Sequence, residues 1–249
     1  MVKTKFGKKL FTVWLPNLGL VIGLVLLIRT GLGLAAFGLL AVSKWQILRG
    51  GRKLWLRNLR DGALDVVVGT AAAGLMVIFN HDVFAQLTTA TIYYLWLAAL
   101  KPLTGHISVA VQSGFCQLIG LWVIFLLARR IPAAGVVILA WVVAGVSADH
   151  LLAATRERTH AIITLVWALL VAEASWLFWH WLIVYSFFDH RLLVPQAPLV
   201  ISLVGYIFGS MYLDHTRAKL GKRRLVEYVV LGFGLCAVII FGSQWDTRL

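Results

Sequence analysis

Charge is scarce in this chain, and negative charge most of all. Only 13% of the 249 residues are charged, and ten Asp and Glu face 23 Lys and Arg. A soluble domain carries about 25% charged residues, so there is too little polar material to clothe a water-facing globule. Cysteine is almost missing. Cys116 and Cys236 both lie in apolar runs, without a thiol partner at a metal-binding or redox spacing, and read as small packing residues. The three asparagines, Asn17, Asn58 and Asn80, all lack a hydroxyl residue two places on, so no N-glycosylation acceptor exists.

Catalytic signatures are missing as well. No G-x-S-x-G surrounds a serine, and neither H-E-x-x-H nor a phosphate-binding G-x-x-x-x-G-K occurs. No paired acids suit hydrolysis. Neither a metal nor an organic cofactor is implied. The net charge of +13 would suggest nucleic acid in a soluble chain. Here the basic residues sit between apolar runs, so membrane topology explains them and no nucleic-acid partner is expected.

What the chain has in abundance is apolar sequence: 61% of residues, in long runs without polar faces. A membrane span needs about 20 such residues. Nine candidates follow, at 10–28, 31–47, 62–79, 83–100, 107–127, 131–148, 160–185, 195–213 and 225–243, with eight as the rival count. Lys44 intrudes near the end of the second, and Asp65 near the start of the third. The first follows a basic start like a signal peptide, but its length and the lack of a small-residue cleavage site mark it as a retained span. Continuous runs predict helices rather than the alternating segments of a barrel. The expected architecture is all-α: residues 1–249 as one polytopic membrane domain with short loops and no soluble domain.

Orientation follows from Lys and Arg. With nine spans and a cytoplasmic N-terminus, 18 basic residues fall inside and five outside. Arg129 and Arg130 are the main exception. The expected location is a cell membrane of prokaryotic cytoplasmic type, with the C-terminus outside. Pro132, Pro195 and Pro198 stand at span starts, where a missing N–H costs little. Pro16 lies inside the first span and is expected to kink it.

Glu173 stands near the middle of the seventh span, in the run EASWLFWHW. A carboxylate at that depth costs about 2.5–3.5 kcal/mol on insertion scales. It is expected to face the bundle or a wet cavity, or to be protonated. His180 is two turns further along the same face, so the pair suggests a proton relay or ligand contact. Alternatively Glu173 bonds a neighbouring helix and His180 sits in the interfacial aromatic belt. Gln86, Thr89 and Tyr93 follow helical spacing in the fourth span; Ser108, Gln112 and Cys116, with Ser113 and Gln117, do so in the fifth. These stripes either line a polar cavity with Glu173 or form interhelical hydrogen bonds.

His and Asp adjoin at His81–Asp82, Asp149–His150, Asp189–His190 and Asp214–His215. The second and fourth pairs, with His160, offer a cytoplasmic metal site, but adjacent helical residues point about 100° apart and polar caps are the simpler account. The stretch 43–62 interleaves six basic residues with tryptophans and leucines. Gly50–Gly51 should break it, and Arg52, Lys53, Trp55, Arg57 and Arg60 of the second piece can meet anionic lipid headgroups. Gly19–Gly23 and Gly205–Gly209 permit close helix crossing within the bundle.

Three functional readings stand open. One is a small transporter or ligand-binding membrane protein using Glu173, His180, Gln86, Tyr93, Gln112 and Gln117. One is a non-catalytic scaffold or subunit with a membrane-protein partner. One is an intramembrane lipid-modifying enzyme using the Asp–His pairs.

Overall fold

The computed structural model describes residues 14–45, 52–103, 105–153, 159–188, 191–216 and 220–241, with backbone alone at 52–57, 59, 61 and 106. Among these residues are nine α-helices and one short hairpin. Six helical stretches, each 18–21 residues long, are apolar enough to cross a membrane, as a multi-pass membrane protein requires. By internal contacts the chain divides into two compact units, Met1–Leu103 and Thr104–Leu249.

The first unit holds α1 (Leu15–Arg29), α2 (Gly33–Ser43), α3 (Arg52–Ile78) and α4 (Val83–Leu95), the last continued by a π-helical turn at Trp96–Leu100. Helix α1 packs against α2, α3 and α4. It ends in a Schellman motif: Leu32 N–H reaches the Leu27 carbonyl, and Gly31 N–H reaches Ile28. Gly31 takes φ +79°, which a Cβ would oppose, so α2 folds back directly.

Several expectations change here. Pro16 falls in the first turn of α1, directly after the helical Trp14 and Leu15. Asn17 beside it donates to the Leu97 carbonyl in the π turn. Among the described residues of the second expected span the longest helix is the eleven-residue α2, about 16 Å long at 1.5 Å per residue, against a hydrocarbon core of about 30 Å. The basic piece after Gly50–Gly51 is no separate interfacial helix, because α3 runs from Arg52 through Ile78 without a break.

Asp82 caps α4, accepting from the N–H groups of Phe84 at 2.7 Å and Ala85 at 3.1 Å. That is the capping role expected of the Asp–His pairs. Asp82→Ala should cost about 1 kcal/mol and speed amide exchange at Phe84 and Ala85. Unchanged exchange at both would deny the cap its role.

The second unit holds α5 (His106–Leu126), α6 (Ala133–Ala153), α7 (His160–His180), a hairpin of β1 (Val184–Phe187) and β2 (Leu192–Pro195), then α8 (Gln196–Thr216) and α9 (Lys222–Phe241). Helices α5, α6 and α7 pack in succession, α8 returns against α5, and α9 lies on α8. The seventh expected span, 160–185, is too long by one turn and more. Helix α7 stops at His180, and after an irregular turn the chain becomes strand from Val184. The strands pair antiparallel with Tyr185 opposite Val194 and Phe187 opposite Leu192. This hairpin is the one departure from all-α structure among the described residues.

Indole N–H groups tie the loops at this end. Trp122 donates to the Leu193 carbonyl at 2.9 Å, and Trp179 to Ala128 at 3.0 Å. Gln196 Nε2 reaches the Ile239 carbonyl at 3.3 Å, joining the start of α8 to the end of α9.

Candidate functional site

The strongest candidate is a groove of about 440 Å3 in the second unit, among α5, α6, α7 and α8. Its size falls in the range of small-molecule sites, about 300–1,000 Å3. The walls are apolar: Ile163, Val166 and Leu170 on α7 face Tyr206, Met211 and Tyr212 on α8. The floor is polar. Ser113, Gln117, Ser147 and Trp167 meet there, three of them buried.

Gln117 organises that floor. Its Oε1 accepts from the Trp167 indole at 3.0 Å and from the Ser147 hydroxyl at 3.3 Å. Its Nε2 donates to the Ile201 carbonyl on α8 at 3.2 Å. Ser113, one turn before it on α5, donates to the Ser147 carbonyl at 2.8 Å. One amide therefore links four helices. Burial in an apolar bundle makes such partners obligatory, because an unmet polar group there has no water to turn to.

The close approach depends on glycine. A Cβ on Gly205 would lie 2.8 Å from Gln117 Nε2 and 2.9 Å from the Trp167 ring; one on Gly209 would lie 2.6 Å from Leu151 Cδ2. The Gly205–Gly209 step thus serves packing inside the bundle. At the first step, Gly23 closes on Leu39, whereas Gly19 has open space.

Gln112 is buried, its Oε1 3.1 Å from His150 Nε2. Cys116 is fully buried. Glu173 does not line the groove. It lies on the exposed side of α7, among leucines and tryptophans. His180 ends the same helix, its Nδ1–H donating to the Trp176 carbonyl at 2.9 Å and its ring edge-on to Trp176 and Trp179. It borders a second recess of about 420 Å3 with Arg129 and Trp181.

Gln86 and Tyr93 belong to the first unit. Both are buried, with Thr89 between them. Gln86 Oε1 accepts from Arg29 Nε at 2.7 Å. Thr89 bonds back to the Ala85 carbonyl, while the Tyr93 hydroxyl is a buried group with no hydrogen-bond partner. Beyond Tyr93 lies a cluster that sequence reasoning missed as a unit: Asp65 Oδ2 is paired with both Lys44 and Lys101, the latter at 2.8 Å. The available signal was that all three charges fall at the same membrane side in the nine-span plan.

The Asp149–His150 and Asp214–His215 pairs do not converge. Asp214 takes Arg224 and Tyr228, at 3.2 and 3.1 Å, while His160 Nε2 lies 3.9 Å from Asp149. Among the described residues, no three His, Cys, Asp or Glu side chains stand within reach of one ion. Asp189 and His190 lie outside the described residues, as do the side chains of Arg52, Lys53, Trp55 and Arg57; Arg60 is exposed.

No protein-family model, curated protein or solved structure matches the chain.

Proposed function

We propose that this protein is a multi-pass membrane protein whose second unit binds an apolar or amphipathic small molecule, of lipid-chain character, in the groove among α5–α8. The observation that carries the reading is an apolar-walled groove over a hydrogen-bonded floor. Apolar walls suit a hydrocarbon chain. The second N–H of Gln117 and the rim hydroxyls of Tyr206 and Tyr212 offer orientation to a polar end. In this reading Gln117 is the principal ligand-facing residue, and Glu173 and His180 take no part in the groove.

The surrounding topology belongs to the same proposal. The chain crosses a cell membrane several times, with its N-terminus cytoplasmic and its C-terminus outside. The charge bias supports this orientation. Arg52, Lys53, Trp55, Arg57 and Arg60 then meet anionic headgroups at the cytoplasmic face. A second reading, a non-catalytic subunit of a larger complex, is favoured by one observation: the Gln117 amide already holds three protein partners, so its floor is satisfied without a ligand.

Photolabelling in reconstituted vesicles separates the two. A diazirine-bearing fatty acid should label groove residues of α5, α7 and α8 at least several-fold more than α9. The exposed face of α9 registers ordinary lipid contact. Equal labelling of α9 and the groove would reject ligand binding and leave the subunit reading.

A further inference from the structure

Helix α7 carries an outward face with a regular pattern, and only its Val166 also edges the groove. Ile162, Val166, Leu169, Glu173, Trp176 and His180 are spaced alternately four and three residues apart. All six are exposed, the four apolar ones by 49–65%. Alternating threes and fours place side chains along one seam that a second helix can follow at a shallow left-handed crossing. The seam runs the length of the helix, about 27 Å at 1.5 Å per residue. A single carboxyl interrupts it near its middle.

Lipid alone is a poor neighbour for that carboxyl. Hydrocarbon offers no hydrogen bond, and among the described residues Glu173 has no ion-pair partner. The occupant of the seam must therefore present a hydrogen-bonding group at the depth of residue 173. A second copy does so by symmetry. Copies inserted in one orientation associate about a two-fold axis along the membrane normal, and each seam residue then meets its own equivalent. Two side chains of this type meeting across the axis have hydrogen-bonding oxygens at the same depth, so each can find its partner in the other without a counter-ion. A single polar residue in an apolar seam also fixes register, since any slip returns each carboxyl to hydrocarbon.

We infer that α7 is a self-association surface: two copies of this chain pair along the Ile162–His180 seam, with the Glu173 carboxyls hydrogen-bonded to one another at its centre. This inference uses the membrane-spanning character of α7 and does not depend on the ligand-binding reading.

The full-length chain tests it in its own membrane. Cys116 and Cys236 are replaced by alanine, and single cysteines are placed at Leu169, at Trp176, or at Val238 on exposed α9. Oxidation should give disulfide-linked dimers at 169 and 176 and not at 238. Two differently labelled copies should show energy transfer that falls at least five-fold in Glu173→Leu and stays above half in Glu173→Gln, whose amide can still donate and accept. Leucine suits an exposed apolar site in a span, so failed insertion would not explain such a loss. Cross-linking at 169 and 176 no greater than at 238 would overturn the inference, and would be the result if the seam met lipid or a different protein. Undiminished transfer in Glu173→Leu would overturn the carboxyl pair.

Discussion

Asp65→Leu should destabilise the first unit by about 3 kcal/mol, the lower end of the cost of breaking a buried ion pair. Lys44 and Asp65 expose only 12% and 14% of their side chains, and Lys101 exposes 47%. The half-exposed Lys101 contributes little, as surface pairs do. Lys44 is the sensitive partner. Without Asp65 its ammonium is left between α2 and α3 with no counter-charge, relieved only in part by reaching toward the interface. The Lys44→Met, Asp65→Leu double variant should regain most of the loss, because two apolar residues replace the pair without stranding a charge. Reversible unfolding in mixed micelles measures both. A double variant as unstable as Asp65→Leu alone would show that the pair does not account for the loss. Asp65 Oδ1 is buried and has no hydrogen-bond partner, so the lysines on Oδ2 are its main compensation.

Gly205→Val should cost a similar amount, about 3 kcal/mol, through two effects. Overpacking a fitted interface costs about 1–3 kcal/mol, and here the new Cβ begins 2.8 Å from Gln117 Nε2. The helices must part, which breaks the amide's bond to Ile201. A buried group left unmet adds about 1–3 kcal/mol, moderated in membranes, where measured interhelical bonds average about 0.6 kcal/mol. Combining Gly205→Val with Gln117→Ala removes the atom that is struck. The pair should then be less damaging than the sum of its parts by about 1 kcal/mol, the mark of direct coupling. Strict additivity would mean that contact with the amide is not what requires a glycine. The same variants should reduce fatty-acid photolabelling of the groove, since Gly205 lines it.

Much of the fold was legible because membrane helices announce themselves locally. The runs at 83–100 and 107–127 each contain a helix long enough to span, and 131–148 holds most of one that continues to Ala153, since hydrocarbon demands that a segment satisfy its own backbone. Span ends were less legible. The run 160–185 remains apolar through Val184 and Tyr185, and composition cannot tell the last turn of a helix from a strand paired with Leu192–Pro195. Pairing is a long-range event, so no local pattern announces it. The shortness of α2 was hidden likewise, because apolar sequence runs through the Gly31–Leu32 turn that begins it.

Residue types by themselves determined that the chain belongs in a bilayer, that its structure is helical, and that its few polar residues inside apolar runs must find partners. Tertiary structure alone decided which partners. Gln117 looked like one member of a stripe; helix packing made it the junction of four helices, because Gly205 lets α8 approach it. Lys44 and Asp65 looked like separate intrusions; folding of α2 against α3 made them a pair. Glu173 looked like the centre of an internal site; rotation of α7 about its axis turned it outward. A sequence states the depth of a side chain through its place in a span. Its direction is set by which face of the helix its neighbours bury, and for α7 those residues are Ala168, Val171, Ala172 and Ser175.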